Sequence, residues 1–282
     1  MKLIDYLNSA KSKGFAIGAF NADNLEILMG IVNAGKNLNT PVMIEVSSGE
    51  VKYFGIQNLV AVVNNFKEEL GLPIYLNLDH ADDIEIIRQA IDLGFDLVHC
   101  DGSKLPYEEN VDLTTQVVLE AHSKGVLVEG ELDHFPGESE KHLTAPRLRE
   151  ASFTDSEKAR EFVEKTGVDI LAAFFGNVHG TYSEEERLDL SHLEKIAQAV
   201  PNTFLSLHGG SGVNLNDVAT AVKLGVVKMN VNTELRVAFR ETLENVLKGN
   251  PDEWAVYKLM PPVIEAVQEV VENKMKVLGV QL

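Results

Sequence analysis

Short apolar runs and longer amphipathic segments alternate along the whole chain. Eight runs of apolar or β-branched residues predict strands, at 15–20, 41–46, 73–78, 95–100, 125–130, 168–175, 202–207 and 225–230. Between them, apolar residues recur at helical spacing, as in 82–93, 156–166, 190–200 and 214–224. The N-terminus reads as an amphipathic helix, and a helix-rich tail at 253–278 follows the last run.

Capping residues mark the ends of these helical segments. Side chains suited to an N-cap precede several of them, namely Asn24, Thr154 or Ser156, Ser191, and Asn214 or Asn216. Glycines stand where a C-cap glycine belongs, just before the next strand, at 14, 71, 94, 125, 167 and 225. The helix ends that these capping residues predict therefore agree with the helices that the hydrophobic pattern predicts.

Strands that alternate with helices indicate parallel pairing through right-handed crossovers. Eight such units predict a single domain over residues 1–282, a (β/α)8 TIM barrel with an N-terminal helix and a helical C-terminal extension. A doubly wound sheet is the alternative, disfavoured because no dinucleotide glycine fingerprint is present. The irregular stretch 131–153 carries proline, glycine and charge, and it predicts a long lid-like loop after strand five.

Composition narrows the range of partners. A formal net charge of -18 argues against nucleic acid, since few cations are available to neutralise phosphates. No run approaches the roughly 20 apolar residues of a membrane span. The single Cys100 cannot form an internal disulfide, which favours a reducing compartment. We therefore expect a cytoplasmic protein that binds neither membrane nor nucleic acid.

Every predicted strand ends in a polar residue. These residues are Asn21, Ser47, Asp79 with His80, Asp101, Glu131, His179, His208 and Asn230. In a barrel the carboxyl ends of the strands converge on the face that holds the active site. Any one of the histidines alone is equally well explained as a loop or core residue. Three neutral imidazoles at three strand ends are typical of catalytic zinc.

Two further residues near these histidines have alternative interpretations. Asp79 directly precedes His80, and a carboxylate beside a metal site is a natural general acid/base. The alternative is that Asp79 only orients an imidazole, and we favour the catalytic role. His99 lies inside strand four, where a packing role is favoured over support of the site.

A phosphate site is predicted beside the histidines. Residues 209–212, Gly-Gly-Ser-Gly, follow strand seven, and Asn230-Val-Asn-Thr233 follows strand eight at the start of a helix. Free N–H groups at a helix N-terminus bind anions, and loops seven and eight are the usual phosphate position in this fold. The alternative is a tight turn followed by an N-cap at Asn232 or Thr233.

Together these motifs resemble one known family over nearly the whole chain. They are Gly18-Ala-Phe-Asn21, residues 41–47 (Pro-Val-Met-Ile-Glu-Val-Ser), Leu78-Asp-His80, Asp101-Gly-Ser103, Glu129-Gly-Glu-Leu132, Gly176-Asn-Val-His-Gly180, residues 208–212 (His-Gly-Gly-Ser-Gly) and Asn230-Val-Asn-Thr233. Because the motifs occur in this order, the chain is similar to the class II, metal-dependent ketose-bisphosphate aldolases, which include fructose- and tagatose-bisphosphate aldolases.

The resemblance implies roles for individual residues. Zn²⁺ or a similar divalent ion would bind His80, His179 and His208, and Asp79 would be the catalytic acid/base. Asp101 and Glu131 would support these ligands or form an alternative metal position. The implied substrate and phosphate contacts are Asn21, Ser47, Gly180, Gly209, Ser211, Asn230, Asn232 and Thr233. The family also implies a homodimer or homotetramer, a phosphorylated sugar as partner, and in some members a monovalent cation.

The sequence departs from the family pattern at three points. In the lid-like loop, Ser139 stands where the family has a catalytic glutamate, so the flanking Glu138 and Glu140 are the alternatives. A phosphate-binding lysine is replaced by Ser183, and a C-terminal arginine is replaced near Tyr257. We expect fructose 1,6-bisphosphate as substrate, cleaved to dihydroxyacetone phosphate and glyceraldehyde 3-phosphate, with tagatose 1,6-bisphosphate or a singly phosphorylated ketose as the alternative.

The sequence offers three alternatives to a zinc-dependent aldolase. A Schiff-base aldolase would need a strand-end lysine, and only Lys228, inside strand eight, comes close. A metal-dependent hydrolase would need ligands on strand one, where Asn21 offers none. A metal-free barrel used as a binding or assembly protein gains some weight from the altered lid-like loop.

Overall fold

Eight parallel strands form the centre of the fold and pair in chain order into a closed barrel, so the first strand also pairs with the last. The computed structural model describes residues 1–134, 139–142, 153–182 and 187–279. The strands are β1 (Ile17–Asn21), β2 (Val42–Ser47), β3 (Ile74–Ala81), β4 (Leu97–Cys100), β5 (Leu127–Glu131), β6 (Ile170–Ala172), β7 (Phe204–Leu207) and β8 (Val226–Val231). The predicted TIM barrel is confirmed, and closure excludes the doubly wound alternative.

Helices surround the barrel. They are α1 (Leu3–Lys13), α2 (Leu25–Leu38), α3 (Ser48–Phe54), α4 (Ile56–Leu70), α5 (Ile84–Asp92), α6 (Tyr107–His122), α7 (Ser156–Thr166), α8 (Leu190–Ala199), α9 (Leu215–Lys223), α10 (Thr233–Gly249), α11 (Val256–Leu259) and α12 (Pro261–Val277). None of the helices in the described parts of the chain is both long enough and apolar enough to cross a bilayer.

Most of the predicted helix caps are present, but two helices are capped by residues other than those predicted. Asn24 accepts a hydrogen bond from the N–H of Ile27, and Asn214 caps α9 in the same manner. The caps of α7 and α8 are Asp155 and Asp189, one residue after Thr154 and two residues before Ser191. A carboxylate makes the stronger acceptor and also favours the positive end of the helix dipole, so aspartate takes the position.

Two hydrophobic cores hold the barrel together. The larger lies between the strands and the outer helices, as expected for parallel strands buried on both faces. The smaller fills the N-terminal end of the barrel, where Leu3, Tyr6 and Leu7 of α1 pack with Ile17 and Met43. Because α1 closes that end with apolar side chains, the polar strand ends are open to solvent only at the opposite face.

The C-terminal helix α12 packs tightly on α2 at a glycine. A methyl group built on Gly30 would lie 2.7 Å from Cγ1 of Val267 and 3.0 Å from the carbonyl oxygen of Ile264. Real Cβ atoms do not approach other heavy atoms so closely. Glycine therefore fixes the spacing between these two helices, and with it the position of α12 on the barrel.

We expect Gly30→Ala to lower the free energy of unfolding, measured by urea denaturation of the metal-free protein. Overpacking costs about 1–3 kcal/mol, which more than offsets the roughly 1 kcal/mol that alanine gains over glycine inside a helix. Gly249→Ala is the control, since a methyl group there meets nothing within 4 Å. A stabilised Gly30→Ala variant would contradict the close helix contact.

Candidate active site

Three histidine rings meet at the open end of the barrel. His80 lies in β3, His208 directly follows β7, and His179 lies in the loop after β6. The ring centroids are 4.7 Å apart for His80 and His208, 5.0 Å for His80 and His179, and 6.2 Å for His179 and His208. The structure therefore brings together the three side chains that the sequence proposed as metal ligands.

A backbone irregularity lets Asp79 and His80 face the same site. Adjacent strand residues normally point to opposite faces, and both residues belong to β3. His80, however, has φ of 45°, a left-handed conformation that is uncommon for a non-glycine residue. The pairing of β3 with β4 also shifts register between Leu78 and Ala81. The two side chains converge inside the strand rather than in a turn beyond it.

His99 belongs to the cluster, although the sequence favoured a packing role for it. Its ring is fully buried and lies 4.6 Å from the ring of His80, centroid to centroid. Its Nδ1 accepts the backbone N–H of His80 at 3.2 Å, and Nε2 lies 3.4 Å from a carboxylate oxygen of Glu131. The ring thus supports the strained backbone at His80.

Two carboxylates face the outer side of His80. Its Nδ1 lies 3.0 Å from Asp101 and 3.3 Å from Glu131, as their strand-end positions suggested. Glu131 is completely buried, and neither of its carboxylate oxygens makes a hydrogen bond of good geometry to a described residue. Burial without hydrogen-bond partners is costly for a carboxylate, so the chemistry of Glu131, with His80 and His99 near its oxygens, fits a site that binds a cation.

A buried ionic column lies beneath the histidines, inside the barrel. Nε2 of His208 is 2.8 Å from Oε1 of Glu129, and Ser206 donates its hydroxyl to the same oxygen. The ammonium group of Lys228 lies 2.9 Å from Glu129 and 2.8 Å from Glu45. All five side chains are inaccessible to solvent.

Charges in this column and above it set the protonation states of the site. Burial, together with the nearby His80 and Lys228, lowers the pKa of His208 to about 4 despite the attraction of Glu129. Burial and the neighbouring rings also hold the pKa of His179 well below its usual value. Both imidazoles are therefore neutral at neutral pH, the form that binds a metal ion.

Asp79 is ionised and held by two amides. Burial alone would raise the pKa of Asp79, but the nearby His80, His99 and other cations bring it well below its usual value. Asn230 donates to one carboxylate oxygen at 3.1 Å and Asn21 to the other at 3.3 Å. The carboxylate is thus fixed in a form that can accept a proton.

Lys228 is unsuited to the Schiff-base chemistry considered above. Burial by itself would lower the pKa of the ammonium group, but Glu129, Glu45 and Asp79 outweigh burial and raise it. A Schiff base requires a neutral amine that substrate can reach. A fully buried, permanently charged lysine meets neither condition.

Glycines shape the wall of a narrow inner cleft beside the histidines. A methyl group on Gly209, whose φ is 64°, would lie only 2.0 Å from the carbonyl oxygen of Val178. Only glycine fits there. The inner cleft is lined by Asn21, Asp79, His80, Ser139, His179, Gly180, Gly209, Gly210, Ser211, Asn230, Asn232 and Thr233.

A wider mouth opens outward from the inner cleft. Three predicted site residues that do not line the inner cleft line this mouth, namely Ser47, Asp101 and Glu140. Glu138, the other glutamate suggested for the lid-like loop, lies outside the described residues. The sequence analysis did not name Asp82, Lys104 or His134 as part of the site, nor Ser139 as a contact, because exposed loop residues carry no pattern.

Part of the lid-like loop is attached to the barrel. Lys141 forms a parallel β-bridge with Thr181, through the hydrogen bonds from Thr181 N–H to Glu140 and from His142 N–H to Thr181. The ring of His142 stacks on Tyr182 at 5.0 Å. Since the hydroxyl of Tyr182 donates to the carbonyl oxygen of His179, the lid-like loop contacts the segment that carries a candidate metal ligand.

Comparison with known proteins agrees with this geometry. The family model for class II fructose-bisphosphate aldolase matches residues 1–281. The fructose-bisphosphate aldolase of Staphylococcus epidermidis is 36% identical over 278 residues, which are 98% of this chain and 96% of that protein.

Solved structures give the same result. The crystal structure of the YdjI aldolase of Escherichia coli K12 superposes with a TM-score of 0.83 at 32% identity, over 98% of this chain and 96% of that one. A fructose-bisphosphate aldolase from Campylobacter jejuni, 23% identical over 98% of this chain and 94% of its own, shares the fold with a TM-score of 0.81. The chain belongs to the class II fructose-bisphosphate aldolases, a family of metal-dependent carbon–carbon lyases.

Proposed function

We propose that this aldolase uses Zn²⁺ to cleave fructose 1,6-bisphosphate reversibly into dihydroxyacetone phosphate and glyceraldehyde 3-phosphate. The observation that carries the proposal is the convergence of His80, His179 and His208 beside an ionised Asp79 and a glycine-walled cleft. Each element serves one requirement of the reaction. The imidazoles bind the metal, the carboxylate takes the proton, and the cleft holds a phosphate.

The donor set fits a divalent ion of zinc type. Neutral imidazoles are the preferred ligands of catalytic zinc, and burial keeps His179 and His208 neutral. Glu131, with both oxygens buried and without a good hydrogen bond to a described residue, supplies nearby negative charge. We assign His80, His179 and His208 as the ligands, with Asp101 and Glu131 as carboxylates that orient His80 or offer an alternative position.

The chemistry is divided between the metal ion and Asp79. A bound divalent ion acts as a Lewis acid that stabilises the negative charge developing on the ketone half. Asp79 accepts the hydroxyl proton next to the bond that breaks, and returns it in the condensation direction. Asn21 and Asn230 keep its carboxylate in position without protonating it.

The inner cleft suits the phosphate of the dihydroxyacetone half. Its wall combines the glycine loop (residues 209–212) with the N-terminus of α10 at Thr233. Backbone N–H groups and the helix dipole favour an anion there. Gly180, Ser211 and Asn232 complete this wall. We also propose that a monovalent cation binds beside the phosphate, as the family resemblance implies.

A second acid/base is needed to protonate the ketone half. Glu140 lines the mouth and belongs to the lid-like loop, so it is our choice among the described residues. Glu138 is the alternative. Closure of such a loop over bound substrate would also keep water away from the reacting carbon.

A singly phosphorylated ketose is the second candidate substrate, favoured by the charge of the mouth. Among its described lining residues, Asp79, Asp82, Asp101 and Glu140 outnumber the two cations. One of these cations, Arg236, is already paired with Asp23 and Glu50. Charge-assisted contacts to a distal phosphate are therefore fewer than a bisphosphate would favour. Tagatose 1,6-bisphosphate stays as a further alternative.

We further propose that the protein is cytoplasmic and forms a homodimer or homotetramer. The single cysteine is buried, which suits a reducing compartment. Large apolar side chains near the C-terminus are exposed, among them Trp254, between α10 and α11, and Tyr257 in α11. Surfaces of this kind commonly lie in subunit interfaces.

The proposed function is tested with protein stripped of metal by a chelator and then supplied with Zn²⁺. We expect cleavage of fructose 1,6-bisphosphate to disappear on stripping and to return with zinc, in a coupled assay for dihydroxyacetone phosphate, the product that all the substrates tested have in common. Tagatose 1,6-bisphosphate and fructose 1-phosphate are tested as substrates in the same assay. Activity unchanged by chelation, or inactivation by borohydride with substrate, would reject the proposal. Preference for fructose 1-phosphate would select the second candidate.

Replacing the acid/base should separate chemistry from binding. Asp79→Asn keeps the size of the side chain and one of the two amide contacts but cannot accept the proton, so we expect kcat to fall by about 10²–10⁴-fold, with the zinc content per chain unchanged. Asp82→Asn, at the exposed rim of the mouth, is the matched control and should lose little activity. An active Asp79→Asn enzyme would move the acid/base role to another residue.

Removing the charge of Glu129 should weaken metal binding. The glutamine variant can still accept the hydrogen bond of His208 but no longer balances Lys228. We expect the affinity for Zn²⁺, measured by competition with a chromogenic chelator, to fall about 10–100-fold. Glu164→Gln, on the exposed face of α7, is the control. Unchanged affinity would show that the buried column does not act on the metal site.

A further inference from the structure

The C-terminal helix α12 directs one buried lysine at the back of the glycine loop. Lys274, in the last turn of α12, has a side chain only 7% exposed. Its ammonium group donates to the carbonyl oxygen of Gly210 at 3.1 Å and lies 2.7 Å from Oε1 of Glu234. A residue on the outer layer of the barrel thus contacts the wall of the inner cleft from behind.

Glu234 extends this contact to the rest of the loop. It is the second residue of α10, and its Oε1 also accepts the N–H of Gly212 at 2.8 Å. Its own N–H donates to the hydroxyl oxygen of Ser211 at 3.2 Å. Three successive residues of the glycine loop are therefore held, two by Glu234 and one by Lys274.

The peptide at Gly210 is fixed from both sides. Its N–H donates to the carbonyl oxygen of Asn230 at 2.9 Å, while its carbonyl oxygen accepts from Lys274. A methyl group at Gly210 would lie 2.6 Å from that same oxygen of Asn230, so the loop is pressed against β8. Glycines move easily between conformations, and these contacts select one.

An ion pair between a buried lysine and a glutamate whose side chain is only 27% exposed contributes little net stability compared with apolar side chains of the same size, because both charges lose hydration. Stability alone therefore does not explain Lys274 and Glu234. Their hydrogen bonds are satisfied only when the loop has its present shape, so the pair favours that shape over others. The close contact of α12 with α2 at Gly30 holds in place the helix backbone that carries Lys274.

We propose that Lys274 is a positioning residue for the phosphate group of the substrate. It touches no substrate atom, but together with Glu234 it keeps residues 210–212 in the conformation in which Gly210 and Ser211 line the inner cleft. The N–H groups of Gly210 and Gly212 already donate within the protein, so Ser211 is the loop residue that offers its N–H and hydroxyl to the phosphate. The inference rests on the proposed function, because it requires that the inner cleft binds a phosphate. Since Asp79 and the histidines do not contact Lys274, it acts on binding rather than on the chemical step.

The test is Lys274→Met, which keeps the length of the side chain and removes its charge. We expect the dissociation constant for inorganic phosphate, measured by calorimetry on the zinc-loaded protein, and the KM for the ketose phosphate to rise about tenfold. The kcat should stay within about twofold of wild type. Lys276→Met is the matched control, since Lys276 lies on the same helix, is 58% exposed and pairs only with Glu272 among the described residues.

A second variant keeps the test decisive if Lys274→Met does not fold. Glu234→Gln preserves the shape of the side chain but not its charge, and we expect a rise of about threefold in both constants. Amide hydrogen exchange of the peptide spanning 204–214 provides an independent readout. Exchange should be faster in either variant than in Lys276→Met, and phosphate should protect the peptide less.

A folded Lys274→Met protein with wild-type KM and wild-type affinity for phosphate would overturn the inference. So would a loss of kcat at unchanged KM, or a wild-type protein that binds no phosphate. A wild-type protein that binds phosphate in a Lys274-dependent way but cleaves no ketose phosphate would support the inference and reject the proposed function. The two failures are therefore distinguishable.

Discussion

The arrangement of the site depends on one buried positive charge at the centre of the barrel. The ammonium group of Lys228 has no access to water. The free-energy cost of burying this charge is offset by contacts with Glu129 and Glu45 at 2.9 and 2.8 Å and with Asn230 at 2.6 Å. Burial and the charge of Asp79 raise the pKa of Glu45 to about 8, whereas Lys228 and His99 outweigh burial and hold the pKa of Glu129 well below its usual value, so Glu129 is the main counter-charge of Lys228. One lysine thereby fixes groups on three strands.

This ion pair separates two regions with different tasks. Below it, α1 closes the barrel with apolar side chains, which stabilise the fold without contributing to the site. Above it, Glu129 orients His208, and Asn230 reaches Asp79. Metal ligands and the acid/base are thus connected to a rigid interior rather than to loops alone. Preorganisation of this kind removes the need to order the site when substrate arrives.

Much of the fold and part of the site were predictable, and the reason is periodicity. The alternation of strands and helices gave the barrel, and the polar residues at strand ends gave His80, His179 and His208. The buried column follows a pattern that the sequence also contains. Glu45, Glu129 and Lys228 each stand two residues before a strand-end polar residue, which puts both side chains on one face of the strand.

What the sequence did not reveal depends on contacts between distant segments. Lys274 looks like an ordinary charged residue near the end of a helix, and only the folded chain puts it against Gly210. The hydroxyl of Thr154 accepts the N–H of Phe174, a contact between distant segments, and Asp155 is the residue that caps α7. His99 appeared to be a packing residue because the irregularity at His80, which it supports, has no signature in the sequence.

The left-handed backbone at His80 has a consequence for attempts to improve this protein. Side chains other than glycine lose roughly 1–2 kcal/mol in that conformation, so a search for heat-resistant variants would favour glycine or asparagine at position 80. Such a replacement would remove the imidazole that lies closest to both other candidate ligands. Selection for thermal endurance alone would therefore act against catalysis at this position, and only selection that also demands turnover would retain the histidine.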